Sequence, residues 1–208
     1  MLIFVKKLET MVELLEKKIT VQEFREMEFP DNDPFIYELI NGELMKKQAP
    51  TSRHQTAVLS IASAFKVLTI EKQNGFAFTS PIDVFFDRYN NTQPDVLFIK
   101  KERDFLIDPT NGIVGAPDLI VEIISPSSVK ADKKDKKALY LEFGVKEYWL
   151  VDPVYQTLAL YVLENDQYDL KQELFSDGKI ESVVLPELIL DLKHVFAWFL
   201  LRDLNFKR

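Results

Sequence analysis

Apolar and polar positions follow three different rhythms along the chain. Between residues 35 and 50, Tyr37, Leu39, Leu44 and Met45 flank the pair Asn41-Gly42, which readily takes positive φ, so this stretch predicts a hairpin. From Ser52 onward, a candidate cap, the apolar residues Val58, Ile61, Ala62 and Phe65 recur at helical spacing. "GFAFTSPIDVFF" and "TQPDVLFIKK" read as strands separated by the polar "DRYNN". "DLIVEIIS" is almost continuously apolar, the signature of a strand covered on both faces. Residues 127–143 are expected to be helical, with Gly144 as the C′ residue, and "VKEYWLVDP" reads as a second buried strand. "TLALYVLENDQYDLKQEL" predicts a hairpin turning at Asn165-Asp166, and a short helix is expected after Thr20, which stands three residues before Glu23 in capping-box spacing. Helix, strands, helix, strand is the order of an α/β or α+β core. The expectation is a mixed central sheet flanked by helices, with additional antiparallel hairpins.

Composition narrows this picture only slightly. A chain of 208 residues, 47% of them hydrophobic, can bury a sizeable core, and one domain over residues 1–208 is expected. The absence of cysteine excludes disulfides, thiolate chemistry and cysteine-ligated zinc. No apolar run is long enough to cross a bilayer, so a cytoplasmic protein without a membrane partner is expected. The net charge of −7 argues weakly against bulk attraction to nucleic acid, but nucleases carry metal-binding carboxylates and the total decides little.

The candidate chemistry starts at Glu122, a carboxylate inside the apolar run that ends in Ser-Pro-Ser-Ser. Burying an ionised acid is costly unless it is paired, hydrogen-bonded or metal-bound. Strand alternation puts Glu122 on one face with Asp118, Ile120 and Ile124. A second acid, Asp95, enters at another strand after Pro94, and two carboxylates on adjacent buried strands can hold magnesium or manganese. The alternative is that Asp95 caps a turn and Glu122 pairs with a lysine. Downstream, "VKADKKDKKALY" has the composition of a solvated helix face, yet Asp132, Lys136 and Tyr140 recur every four residues along one side. If that side faces the strand end, Lys136 reaches the acids and can offset charge on a phosphoryl transition state, which fits phosphodiester hydrolysis.

These pieces resemble the Uma2 family, restriction-endonuclease-like nucleases of the PD-(D/E)XK superfamily. The matching segments are "YELINGEL" at 37–44, "SRHQ" at 52–55, "QPDVLF" at 93–98, "APDLIVEIISPSS" at 116–128, Asp132-Lys136-Tyr140, and "GVKEYWLVDP" at 144–153. The resemblance implies a restriction-endonuclease-like core and a DNA endonuclease whose Mg2+, or Mn2+, is held by Asp95, Glu122 and the Ile123 carbonyl. One position departs from the superfamily pattern: the lysine expected two residues after the acid is Ile124, which can donate to neither water nor phosphate. Lys136 is the position to which the basic role is carried, and a nucleic-acid-binding protein that keeps the fold without turnover is the alternative. Glu43, favoured over Glu38, resembles the acid that relatives supply from an early element. His54 is a further candidate for contact with a phosphate or water, and Asp118 ranks below Asp95 because it shares a strand with Glu122. Tyr148 and Trp149 read as core packing rather than base-stacking residues, the apolar stripe Val195, Phe196, Phe199, Leu200 suits the core or a partner subunit, and a homodimer would let two sites address both strands of a duplex.

Overall fold

The structure, a computed structural model, describes residues 18–125 and 131–197. It opens with α1 (Val21–Arg25), whose N-cap Thr20 exchanges hydrogen bonds with Glu23 in a complete capping box. The hairpin β1 (Phe35–Ile40) and β2 (Glu43–Gln48) turns at Asn41 and Gly42, both at positive φ. Glycine is required there for a second reason, since a Cβ on Gly42 would lie 2.6 Å from the Lys18 Cβ.

Helix α2 (Ser52–Lys72) is capped by Thr51, one residue before the candidate Ser52: the Thr51 hydroxyl accepts from the His54 amide. Its buried face carries His54, Ala57, Val58, Ile61, Phe65 and Thr69. There follow β3 (Gly75–Thr79), β4 (Val84–Asp87), β5 (Asn90–Thr92) and β6 (Val96–Lys100), then a 3₁₀ turn (Lys101–Leu106), β7 (Ile107–Asp108), β8 (Gly112–Val114) and β9 (Leu119–Ile123). The stretch expected to be helical is a π-helix over Ala131–Lys136 followed by α3 (Lys137–Glu142), with Gly144 beyond it at φ +74. The start of that expected helix, the N-terminal segment, and Phe199 and Leu200 lie outside the described residues. The chain continues through β10 (Glu147–Asp152), the hairpin β11 (Thr157–Glu164) and β12 (Gln167–Phe175), β13 (Lys179–Glu181), β14 (Ile189–Asp191) and α4 (Leu192–Val195). The β11–β12 turn falls at Asn165 and Asp166, both at positive φ.

The strands form two six-stranded mixed sheets, ordered β2-β1-β5-β4-β8-β7 and β12-β11-β10-β9-β6-β3, with β13 and β14 as a separate pair. In the second sheet β9 runs parallel to β10 and antiparallel to β6. One face of this sheet, with Val96, Val121 and Trp149, packs under α2 and α4; the other, with Leu97, Ile120 and Leu150, meets α3 and the first sheet. Both faces are therefore apolar, which is why β9 reads as a continuous run. A polar side chain at this level has no water to turn to, so its partners are set by the fold.

Candidate functional site

Strands β6 and β9 pair Leu97 with Ile120 and Val96 with Val121; one further step in this register sets Asp95 opposite Glu122. The two acids thus meet at the end of the central sheet, although 26 residues separate them from one another in the chain.

Glu122 is fully buried. Its Oε1 accepts from Lys136 Nζ at 2.8 Å and from the Tyr140 hydroxyl at 2.6 Å. Lys136 comes from the last residue of the π-helix and Tyr140 from α3, so the junction between the two helices delivers both donors to one atom. Lys136 is itself 0% exposed and also donates to Glu38 Oε1 at 2.8 Å. The same Glu38 oxygen accepts from the Gln93 amide at 2.7 Å. Burial pushes the Glu38 carboxyl up, but the charges of Lys136 and Lys47 outweigh it and hold the group below its ordinary value. Burial and the neighbouring Glu122 charge push the Tyr140 phenol well above its ordinary value, so it stays a donor.

Asp95 is held from the other side of the sheet. Its Oδ2 accepts from the Ile123 amide at 2.7 Å and lies 3.2 Å from His54 Nε2. Oδ1 takes part in neither contact. Burial raises the Asp95 carboxyl, while the His54 hydrogen bond, the His54 and Lys47 charges and the Ile123 amide together bring it below its ordinary value. His54 reaches this acid because Thr51 starts α2 three residues earlier, and its buried Nδ1 has no hydrogen-bond partner among the described residues. Beside Asp95 lies a cleft of about 40 Å³, lined by His54, Lys47, Gln93, Ile123 and Ser125 among others. That volume admits an ion or a water and little more.

The sequence candidates Asp95, Glu122, Ile123 and Lys136 therefore come together, and Glu122 pairs with a lysine as the plainer reading also held. Glu43 does not join them. The two-residue turn fixes its register opposite Ile40, at the exposed tip of the hairpin, whereas Glu38 pairs with Met45 deeper in the sheet. Glu38, ranked below Glu43, is the acid beside Lys136. Asp118 serves the fold, accepting from the Lys100 amide and from Arg103 Nη1. Tyr148 and Trp149 are core residues. Lys47 is the cleft residue that reasoning from sequence missed, although the hairpin register already places it on the face of Glu38.

Among the described residues no three histidine, aspartate or glutamate side chains converge as metal ligands. The donor chemistry still fits a hard divalent ion. Magnesium is held by one or two carboxylates with water completing its shell, and Asp95, which lines the cleft, stands opposite Glu122.

The fold has a known counterpart. A crystal structure from Anabaena variabilis, described as that of a putative nuclease, matches with a TM-score of 0.69 at 24% identity, over 86% of this chain and 98% of the other. At that identity the likeness is one of fold. No curated protein matches the chain. The family model Uma2, described as "Putative restriction endonuclease", matches residues 21–193, from α1 past β14 and across every site residue named above. The chain belongs to the Uma2 family.

Proposed function

We propose that this protein hydrolyses phosphodiester bonds of DNA with the help of a divalent metal ion. The observation that carries the proposal is the pair Asp95 and Glu122, set opposite each other on adjacent antiparallel strands, with a lysine donating to Glu122 at 2.8 Å. A magnesium or manganese ion held by Asp95, Glu122 and the Ile123 carbonyl would acidify a water and polarise the phosphoryl oxygen. The protein supplies the rest. Lys136 and Tyr140 fix the Glu122 carboxylate from one side, and the Ile123 amide and His54 fix Asp95 from the other, so neither acid has to reorganise when substrate arrives. The family and the fold of the Anabaena variabilis protein both point toward nuclease chemistry.

A second reading is a nucleic-acid-binding protein that keeps this fold without turnover. Two observations favour it: Ile124 stands where the superfamily lysine is expected, and Lys136 is sealed from solvent. Incubating supercoiled and linear DNA with magnesium or manganese separates the two. The expected result is metal-dependent nicking or cutting that Glu122→Gln and Asp95→Asn each reduce by at least about 100-fold. A folded parent protein that leaves DNA intact with either metal, or cutting that survives both substitutions, overturns the hydrolytic reading.

A further inference from the structure

Lys136 cannot easily serve as the cation that meets a substrate. It is 0% exposed, and its ammonium is committed to Glu38 and Glu122, two carboxylates whose burial would become very costly if it left. The cleft beside Asp95 does contain a lysine, supplied by β2. Lys47 Nζ lies 3.4 Å from Glu38 Oε2, a long ion pair, and its side chain is 15% exposed. An ammonium has three donors, and this contact uses at most one of them.

We infer that Lys47 is the cation that contacts a phosphodiester oxygen at this site, with Glu38 aiming it into the cleft beside Asp95. The inference rests on the phosphodiesterase reading given above and assigns to a second lysine the contact that Ile124 cannot make. The strand itself explains how a single lysine is delivered there. Lys46 and Lys47 are neighbours in β2 and so point to opposite faces: Lys46 Nζ sits 3.5 Å over the Phe35 ring, while Lys47 turns toward Glu38 and Asp95. Glu38 then has two tasks, one per oxygen. Oε1 pins Lys136 inside the core, and Oε2 orients Lys47 at the cleft. The reach of the Lys47 charge agrees with this placement, since it lowers the carboxyls of both Glu38 and Asp95.

Two measurements on the full chain test this, using Lys47→Gln, Lys47→Arg and the outward-facing control Lys46→Gln. The first is the rate of magnesium-dependent cleavage of a short duplex at saturating DNA. Lys47→Gln is expected to lower kcat about 100-fold at an unchanged thermal midpoint, Lys47→Arg to recover much of it, and Lys46→Gln to match the parent. The second needs no turnover: the affinity for the same labelled duplex in EDTA, followed by fluorescence anisotropy over a range of salt. Loss of one phosphate contact lowers the slope of log K against log salt by about 0.9. That change is expected for Lys47→Gln and absent for Lys46→Gln. If the parent binds DNA without cutting it while Lys47→Gln still lowers the slope, the hydrolytic reading falls and the phosphate contact stands. A Lys47→Gln protein with the parent's kcat and slope overturns the inference, as does a parent that neither binds nor cuts DNA. A loss of activity that tracks a fall in thermal midpoint and is not restored by arginine assigns Lys47 to the fold and overturns it too.

Discussion

Two carboxylates lie fully buried on the neighbouring parallel strands β9 and β10, and they have little else in common. Glu122 faces the first sheet, where its partners are an ammonium and a phenol. Glu147 points to the opposite face and accepts from the Trp149 indole at 2.6 Å and from the Val183 and Val184 amides at 2.8 and 2.7 Å. No cation stands among those donors, and burial, which outweighs these hydrogen bonds, raises the Glu147 carboxyl above its ordinary value. Glu147 ties the 183–184 segment to the sheet; Glu122 belongs to a charged cluster that faces another acid across a strand pair. Burial of an acid is therefore not what sets Glu122 apart from Glu147. The charge of its partners is, together with an opposing acid, Asp95, that lines a cleft.

The sharpest way to break this contrast is to remove the cation. Lys136→Ala leaves Glu38 and Glu122 buried without their shared partner, and it is expected to cost about 3–5 kcal/mol. For a chain of this size that is a fall in Tm of about 2–4 °C per kcal/mol, read by urea and thermal unfolding. Glu147→Gln removes no cation and takes an acceptor from uncharged donors only, for a cost of about 1–3 kcal/mol. Equal losses for the two variants would mean that the charged cluster is no more than another way to satisfy a buried acid.

The same contrast has a sign in pH. Glu38 is held below its ordinary value, so the folded state binds fewer protons there than the unfolded one. Its contribution is fully present above the ordinary glutamate pKa and is lost as pH falls through the lowered one. Glu147 is raised, so the folded state holds its proton longer. Its contribution is greatest below the ordinary value and declines as pH rises through the raised one. Stability of the parent relative to Glu38→Gln should therefore increase with pH across the window just below the ordinary value. Stability relative to Glu147→Gln should decrease with pH across the window just above it. Chemical unfolding at a series of pH values measures both, and slopes of the same sign would erase the distinction.

Much of this architecture could be read locally, because its signals are local. The capping box at Thr20, the turns at Asn41-Gly42 and Asn165-Asp166, and the helix from Ser52 each depend on residues close in sequence. Asp95 and Glu122 were legible as a pair because Glu122 interrupts one apolar strand and Asp95 stands at the entry to another. The first sheet was harder to see. Its strands β5, β7 and β8 are two or three residues long, and β5 is polar although buried: Asn90 turns inward to accept from the Asn41 amide and to donate to Asp87. The choice of Glu38 over Glu43 depends on where β5 docks against β1, at Leu39 and Asn91, and that pairing spans 52 residues of chain. Lys136 and Tyr140 converge as their spacing suggests, yet Lys136 closes a π-helix rather than an α-helix, a change of pitch that periodicity does not announce.

The finest cut separates the two donors on Glu122 from each other. Tyr140→Phe removes the hydroxyl 2.6 Å from Oε1 and keeps the ring, whose packing against Phe86 and Tyr148, at centroid distances of 5.6 and 5.5 Å, is apolar. Lys136 still holds the same oxygen, so the loss is that of one hydrogen bond to a charged group, about 1.5 kcal/mol, together with the longer 3.3 Å contact to the buried Thr92 hydroxyl, in sum smaller than the loss for Lys136→Ala. Because the phenol fixes the acid and does not line the cleft, DNA cleavage should fall by less than about tenfold, consistent with that same energy. Unfolding and cleavage assays on one preparation read both effects. A Tyr140→Phe protein as stable as expected but as inactive as Glu122→Gln would move the phenol from support into the chemistry, and the charged cluster would then be a larger machine than two carboxylates and their lysines.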